Sequence, residues 1–288
     1  MSIDNNRLVR TFSDLRQKGK SALLPFITAG YPDLDTTAAL LAGFADRGVR
    51  VCELGVPFSD PIADGPVIQS SYTAALDAGI TCEQIFKTVR RFRDATNPAP
   101  DGSALRSDLG TATCDLALLA MVSYSIVYRR GCERFCMDAA AAGFDGLIVP
   151  DLPLEEAGDF EPLAAEAGLC NVMLIAPTTP PERRYELARH SRGFIYFISV
   201  AGTTGERDKL PDETIAAVRE LREHTDTPVC VGFGISRAQT VRTVCEVADG
   251  AIVGSAIVHR VTDNAGKPRD ELVRTVGDFV GELLEPTR

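Results

Sequence analysis

Three acidic residues stand close together at and after one apolar stretch of the sequence. Glu53 lies between Cys52 and Leu54 inside the stretch, and Asp60 and Asp64 follow in a segment stiffened by three prolines. Burial raises the pKa of a carboxyl group, which would let Glu53 both donate and accept a proton near neutral pH. The pattern predicts proton transfer. A magnesium site, a structural glutamate and ordinary turn aspartates are the alternatives.

Two later apolar stretches end in glycines beside a hydroxyl side chain. Residues 231–236 spell Val-Gly-Phe-Gly-Ile-Ser, and residues 253–256 spell Val-Gly-Ser-Ala. Backbone N–H groups exposed at glycines, together with a helix N-terminus, bind phosphate. Either motif alone also fits a tight turn between a strand and a helix. Both together, at neighbouring strand ends, indicate a phosphate site.

A third segment could cover such a site. Residues 200–207 spell Val-Ala-Gly-Thr-Thr-Gly-Glu-Arg, in which two glycines flank two threonines and two charged residues follow. This composition is typical of a mobile loop that closes over a ligand, although an ordinary exposed loop would look similar. A phosphate site nearby favours the first interpretation.

Eight apolar runs, each followed by a helical pattern, must position these side chains. Several runs are continuous rather than alternating, as in strands that are covered on both faces. Eight strand–helix units predict an α/β fold in which a parallel sheet closes into a (β/α)8 TIM barrel, with an open doubly wound sheet as the alternative. The runs are residues 23–29, 49–56, 116–124, 146–152, 171–176, 193–200, 228–235 and 250–258.

Two further segments complete the predicted architecture. An extra helix containing Leu8, Phe12 and Leu15 precedes the first strand, and we expect it to plug the bottom of the barrel. Residues 97–113 are rich in Pro, Gly, Ser, Asp and Thr, which predicts a surface insertion before the third strand. The prediction is therefore one TIM-barrel domain over residues 1–288.

Two helix starts carry a capping-box pattern, in which a hydroxyl residue is followed three positions later by glutamine. Thr81 with Gln84 and Ser236 with Gln239 fit it. We expect each pair to satisfy the free backbone N–H groups of the helix that follows.

Composition narrows the class of protein. The chain has 288 residues, 45% of them hydrophobic and 24% charged, which excludes a disordered chain. Lys and Arg number 30 against 40 Asp and Glu, a net charge of −10 that disfavours binding to nucleic acid or to an anionic membrane. There is no apolar run of transmembrane length and no signal-peptide pattern. We expect a soluble, cytoplasmic protein that acts on a small molecule.

The cysteines agree with that expectation. None of the eight forms a C-x-x-C pair, and only three histidines accompany them. Cys132 and Cys136 stand one helical turn apart, but two soft ligands alone make a poor zinc site. We expect reduced thiols that pack as small hydrophobic residues, and no bound metal.

Four segments of the sequence resemble the α subunit of tryptophan synthase. The run Glu-Leu-Gly-Val-Pro-Phe-Ser-Asp-Pro-Ile-Ala-Asp-Gly-Pro at residues 53–66 is the most specific, and residues 25–30, 146–153 and 232–236 support it. The resemblance covers nearly the whole chain outside residues 97–113. It implies a barrel enzyme that cleaves indole-3-glycerol phosphate into indole and glyceraldehyde 3-phosphate without a cofactor of its own. It also implies an α2β2 complex in which pyridoxal phosphate belongs to the β subunit.

The resemblance assigns roles that residue types alone leave open. Glu53 would be the catalytic acid and base. Asp64, ionised in its polar loop, would pair with the indole N–H, and Asp60 would face the β subunit. Thr204 would close over Asp64. The implied substrate-binding residues are Phe26, Tyr196 and Phe233 around the indole, Gly205, Gly234, Gly254 and Ser255 around the phosphate, and Gly232 in the same motif.

Two departures from the family pattern bear on this prediction. Residues 123–127 spell Ser-Tyr-Ser-Ile-Val where the family usually has a Tyr-Asn-Pro-like run, and the insertion before it is longer than usual.

Three alternative functions share parts of the same pattern. They are a stand-alone lyase of the same chemistry, a non-catalytic phosphate-binding barrel that serves as an allosteric partner, and another phosphate-barrel enzyme such as an isomerase of the same pathway. Retention of Glu53 and Asp64 argues against the second, and the run at 53–66 argues against the third.

Overall fold

The structure, a computed structural model, describes residues 3–61, 64–96, 115–199, 210–232 and 234–287. The predicted insertion at 97–113 and the predicted loop at 200–207 lie outside these residues. The described strands are β1 Ala22–Thr28, β2 Val51–Gly55, β3 Ala117–Met121, β4 Gly146–Ile148, β5 Cys170–Val172, β6 Leu174–Ile175, β7 Ile195–Ile198, β8 Val229–Gly232 and β9 Gly250–Val253.

The helices alternate with the strands along the chain. They are α1 Arg7–Gln17, α2 Leu34–Asp46, α3 Pro66–Asp77, α4 Cys82–Thr96, α5 Tyr124–Arg130, α6 Cys132–Ala142, α7 Phe160–Glu166, α8 Pro181–His190, α9 Asp212–Glu223, α10 Ala238–Cys245, α11 Ser255–Asn264 and α12 Arg269–Leu284. Short 3-10 helices occupy Ile3–Asn5, Leu154–Glu156 and Glu285–Thr287. Of the helices in the described ranges, none has both the length and the apolar character needed to cross a bilayer.

The strands form one parallel sheet that follows the chain around a ring. Their order is β5-β4-β3-β2-β1-β9-β8-β7-β6, so β1 is paired with β2 on one side and with β9 on the other. A doubly wound sheet would reverse its strand order at an internal switch point, and this sheet does not. The predicted TIM barrel is therefore confirmed, and the doubly wound alternative is wrong.

The fifth barrel strand is broken, whereas the sequence predicts one run over residues 171–176. β5 pairs with β4 and β6 pairs with β7, and Met173 separates the two segments. The N–H of Met173 donates to Ser191 Oγ at 3.0 Å, while its carbonyl accepts from the N–H of Tyr196 at 3.0 Å. The chain thus changes partners at this residue, and its two segments complete the ring.

Most of the predicted runs are longer than the strands of the structure, and two of them extend into a helix. The runs at 116–124 and 250–258 continue as strands only to Met121 and Val253, where β3 and β9 end. The last residue of the first run begins α5, and the last four residues of the second run belong to α11. A continuous apolar run does not mark where a buried strand gives way to a helix, because both bury the same residue types.

One of the two predicted capping boxes forms. The N–H of Thr81 donates to Gln84 Oε1 at 2.9 Å, and the N–H of Gln84 donates to Thr81 Oγ1 at 3.4 Å. The prediction for Ser236 and Gln239 is wrong. Helix α10 begins at Ala238, so its N-cap residue is Arg237, which makes no side-chain capping bond.

Helix α1 closes the amino-terminal end of the barrel, as predicted. Leu8, Phe12 and Leu15 pack into the cluster of interior side chains, and the rings of Phe12 and Phe194 lie 5.6 Å apart. Ahead of the helix, Asn6 Nδ2 donates to the carbonyls that precede β4 and β5, at 2.7 and 2.8 Å. These contacts leave the opposite, carboxyl-terminal end for ligands.

The seven cysteines in the described residues are free thiols. Four of them, Cys52, Cys136, Cys170 and Cys230, are buried, and burial raises the pKa of each of these thiols. A thiol with a raised pKa stays protonated and packs as a small hydrophobic group.

Candidate active site

A cavity of about 200 Å³ opens at the carboxyl-terminal end of the barrel, the end at which enzymes of this architecture place their active sites. We call it the mouth cavity. Seven predicted site residues line it: Phe26, Glu53, Asp64, Tyr196, Gly234, Gly254 and Ser255. Barrel closure brings them together. Phe26 and Glu53 are register partners on β1 and β2, Asp64 follows β2, and the others lie in or after β7, β8 and β9, which continue the ring from the other side of β1.

Glu53 is a fully buried carboxyl group in the wall of this cavity. Its side chain is 0% exposed, and neither carboxylate oxygen has a hydrogen-bond partner among the described residues. Burial raises the pKa of Glu53 well above its ordinary value. A structural glutamate would be satisfied by hydrogen bonds, so this geometry favours a proton-transfer role.

Asp64 lies half-buried beside the start of α3. Its N–H donates to the carbonyl of Pro61 at 3.1 Å, and its own carbonyl accepts from Gln69 Nε2 at 2.7 Å, which ties the end of the loop to the helix. Burial raises the pKa of the Asp64 carboxyl to about 6. The expectation of polar surroundings for Asp64 is therefore wrong, because burial raises its carboxyl pKa and disfavours the ionised form. The carboxylate still outnumbers the acid by about ten to one at pH 7.

Aromatic side chains form an apolar wall near the two carboxyl groups. Phe26 and Tyr72 are buried in one small cluster, and Tyr196 is 5% exposed. Burial raises the pKa of the Tyr196 hydroxyl, and the negative charges of Glu53 and Asp64 raise it further. An apolar, planar ligand group would fit here, with Glu53 and Asp64 at its edge.

Another part of the mouth cavity's lining is built from glycines and a helix N-terminus. Gly234 has φ +76°, a left-handed conformation that favours glycine. Gly254 caps α11, and its carbonyl accepts from the N–H groups of Ile257 and Val258. The N–H groups of Ser255 and Ala256 are then the first donors of the helix without an intrahelical acceptor. Such donors bind anions.

Asp60 and Asp64 differ in position, a distinction that residue types could not make. Asp60 is exposed and lines a neighbouring cavity of about 270 Å³ together with Ser123, Ser125 and Asp151. We call this the outer cavity. Asp64 lines both cavities, whereas Asp60 does not line the mouth cavity.

Of the four remaining predicted site residues, the structure describes only Gly232, which does not line the mouth cavity. Gly232 is buried at the end of β8, and an added Cβ there would meet the ring of Tyr196. Thr204, Gly205 and Phe233 lie outside the described residues.

Several residues that line the mouth cavity were not predicted from the sequence: Val67, Ile68, Met121, Ile252 and His259. A signal existed for two of them. Met121 ends β3, and strand ends are where this fold places ligand contacts. His259 stands four residues after Ser255 on α11, and therefore on the same helical face. The others are ordinary core residue types whose direction the sequence does not reveal.

The altered run at 123–127 joins two loops at the barrel mouth. Ser123 Oγ donates to Asp151 Oδ2 at 2.7 Å, and the N–H of Tyr124 donates to Asp151 Oδ1 at 2.7 Å. The loop after β3 is thereby fixed to the loop after β4. Ser125 and Asp151 remain exposed on the same face as Asp60.

Comparison with known proteins gives a consistent result across the chain. A family model described as tryptophan synthase alpha chain matches residues 12–101 and 104–284, which leaves out only residues 102 and 103 between its ends. The tryptophan synthase alpha chain of Rhodopirellula baltica is 41% identical over 280 residues, 96% of this chain and 95% of the relative. That of Chloroflexus aggregans is 40% identical over 282 residues, 98% of each chain.

Solved structures agree with the sequence matches. Tryptophan synthase subunit alpha from Legionella pneumophila superposes with a TM-score of 0.83 at 31% identity, over 98% of each chain. A chain from the aminoacrylate-bound form of M. tuberculosis tryptophan synthase superposes with a TM-score of 0.80 at 29% identity, over 98% of this chain and 100% of that one.

Proposed function

Because the chain belongs to the tryptophan synthase alpha chain family, we propose that Glu53 and Asp64 carry out its catalysis and that the glycine-rich end of the mouth cavity holds the phosphate of its substrate. The chain is a lyase that cleaves indole-3-glycerol phosphate in tryptophan biosynthesis. One observation supports the assignment best: the carboxyl of Glu53 is fully buried in the wall of that cavity and has no hydrogen-bond partner among the described residues.

Glu53 supplies the proton transfers. Cleavage of the carbon–carbon bond requires a proton at indole C3 and the loss of a proton from a glyceryl hydroxyl. Burial raises the pKa of the Glu53 carboxyl well above its ordinary value and so favours the protonated acid. The carboxyl can therefore donate to C3, and the carboxylate left behind can accept the hydroxyl proton. A positioned acid and base of this kind contributes about 10²–10⁴-fold to the rate.

Asp64 supplies a fixed negative charge. With a pKa of about 6 it is mostly ionised at neutral pH, so it can accept a hydrogen bond from the indole N–H. Protonation at C3 places positive charge on the ring, which the carboxylate stabilises in a site with little water. The two carboxyl groups thus hold different protonation states because their surroundings differ.

The phosphate anchors the far end of the substrate. Gly234, Gly254 and Ser255 offer backbone N–H groups and a helix N-terminus in the lining of the mouth cavity. Binding there positions the reacting carbon beside Glu53. The net charge of −10 does not oppose this, because the site depends on local backbone dipoles.

Replacement of Glu53 by glutamine tests the catalytic assignment. Glutamine has nearly the same shape but cannot exchange a proton, so Glu53→Gln should lower kcat by at least about 10²-fold and change KM little. Glu133→Gln, an exposed position on α6, serves as the matched control. Turnover at the wild-type level in Glu53→Gln would remove this residue from the mechanism.

We also propose a partner, on the basis of family membership. The chain would pair with a tryptophan synthase β subunit as α2β2 in the cytoplasm, with pyridoxal phosphate bound only in the β subunit. The exposed face around the outer cavity, with Asp60, Ser125 and Asp151, suits this contact because it adjoins the mouth cavity through Asp64. The predicted loop with Thr204 would belong to the same face.

Titration with a β subunit from the same source tests the partnership. Cleavage of indole-3-glycerol phosphate should rise with added β subunit, and substrate should tighten the complex, because coupling between two binding events is reciprocal. A chain that is fully active alone and shows no association at micromolar concentrations would favour the stand-alone lyase.

A further inference from the structure

His259 is the one basic residue among the described residues that line the mouth cavity. It lies on α11, four positions after Ser255, so the two side chains share a helical face. Both side chains line the mouth cavity. The side chain is 63% exposed and is therefore open to a ligand.

Asp263 holds the imidazole ring in a defined orientation. The distance between His259 Nδ1 and Asp263 Oδ2 is 2.9 Å, one helical turn further along α11. A carboxylate can only accept a hydrogen bond, which assigns the proton to Nδ1. Nε2 lies on the other side of the ring, and in an imidazolium it carries a second N–H donor.

The mouth cavity is lined by both acidic and basic side chains. Glu53, Asp64 and His259 all line it, and His259 stands on the helix whose first turn includes Ser255. The next cation on the helix, Arg260, is directed elsewhere, since its guanidinium lies 4.6 Å from the ring centre of Phe279 on α12. An anionic group bound at the start of α11 would therefore have a basic side chain of the same helix beside the cavity.

We propose that His259 is a substrate-binding residue whose imidazolium donates from Nε2 to the phosphate of the substrate. The inference rests on the proposed phosphate site and adds to it a side-chain donor that selects an anionic tail. The backbone N–H groups of the first turn hold one part of the phosphate, and His259 contacts it from the following turn.

Inhibition by glycerol 3-phosphate and by indole separates the two ends of the site. His259→Gln should raise the Ki of glycerol 3-phosphate and the KM of the substrate by about 3- to 10-fold, as expected for a charged but exposed contact. The Ki of indole should change by less than about twofold. His259→Lys should restore glycerol 3-phosphate inhibition because it keeps a cation at this position.

Arg260→Gln is the matched control, because it removes one positive charge from the same helix at a position that contacts Phe279. Its Ki for glycerol 3-phosphate should remain within about twofold of wild type. The proposal is overturned if His259→Gln binds glycerol 3-phosphate like wild type, if Arg260→Gln weakens it equally, or if indole affinity falls in parallel. A Gly254→Val variant separates the proposal for His259 from the proposal of the phosphate site. If glycerol 3-phosphate inhibits Gly254→Val more weakly than wild type but inhibits His259→Gln as strongly as wild type, only the role of His259 is overturned. If neither variant changes the inhibition, the phosphate site itself is overturned.

Discussion

The ring of Tyr196 lies against the α-carbon of Gly232, across the pair formed by β7 and β8. A Cβ on Gly232 would stand 2.5 Å from Tyr196 Oη and 2.8 Å from its Cζ, closer than real contacts allow. Tyr196 lines the mouth cavity and Gly232 does not. The absence of a side chain at Gly232 therefore sets the position of the aromatic wall.

Gly232→Ala should displace this ring. Because Tyr196 is buried and cannot move freely, we expect a loss of about 1–3 kcal/mol in the free energy of unfolding and a lower kcat/KM. Tyr196→Leu in the same chain should recover part of the stability, with a coupling energy of at least about 0.5 kcal/mol in urea unfolding. Gly158→Ala, where an added Cβ meets nothing within 4 Å, is the control. Simple additivity of the two substitutions would contradict the contact.

The pH dependence of kcat/KM should be bell-shaped. Ionisation of Asp64 is required, and its pKa is raised to about 6, so activity should fall as the pH drops through about 6. Protonation of Glu53 is also required, and burial raises its pKa, so activity should fall again as the pH rises through that raised value. Rates measured from pH 5 to 9 check both limbs. If the residual activity of Asp64→Asn falls at low pH just as the wild-type activity does, the ionisation of Asp64 is not the cause of that fall.

Asp60→Asn and Asp64→Asn should differ in the isolated chain. Asp64 lines the mouth cavity, and its replacement should remove most of the cleavage activity. Asp60 is exposed and lines only the outer cavity, so Asp60→Asn should leave the isolated chain active and chiefly reduce activation by a β subunit. Equal losses for the two variants without partner would show that this separation of roles is wrong.

Gly254→Val should weaken phosphate binding while the fold is retained. The φ of Gly254 is −108°, which other residues adopt, and an added Cβ would lie 3.6 Å from Phe26 and Ile68, at ordinary contact distance. The further methyl groups of valine would obstruct the approach of an anion to the start of α11. We expect KM to rise far more than the melting temperature falls. A folded variant that glycerol 3-phosphate inhibits as strongly as wild type would rule out this site.

Chelation should leave the activity unchanged. A magnesium site needs ionised carboxylates, whereas burial raises the pKa of both Glu53 and Asp64 and so disfavours their charge. In the described residues, no group of three or more His, Cys, Asp or Glu is placed to hold a metal ion. Activity measured with and without EDTA checks this. A loss that magnesium restores would replace the acid–base mechanism with metal catalysis.

Much of the architecture could be predicted because its signals are local. Continuous apolar runs, helical patterns between them and the apolar face of α1 each depend on residues near one another in sequence. The same local signals misplaced the ends of β3 and β9 and missed the break at Met173. The break depends on hydrogen bonds to Ser191 and Tyr196, far along the chain.

The sequence by itself determined the barrel, the placement of Glu53 in an apolar strand and the glycines at the ends of two later strands, since these follow from residue type and spacing. Only the tertiary structure decided that Asp64 and not Asp60 lines the mouth cavity, that Glu53 lacks a described hydrogen-bond partner, and that Gly232 makes room for Tyr196. These are distances between side chains from segments far apart in the chain. They take definite values only when closure of the barrel fixes the strand register and the direction of every side chain.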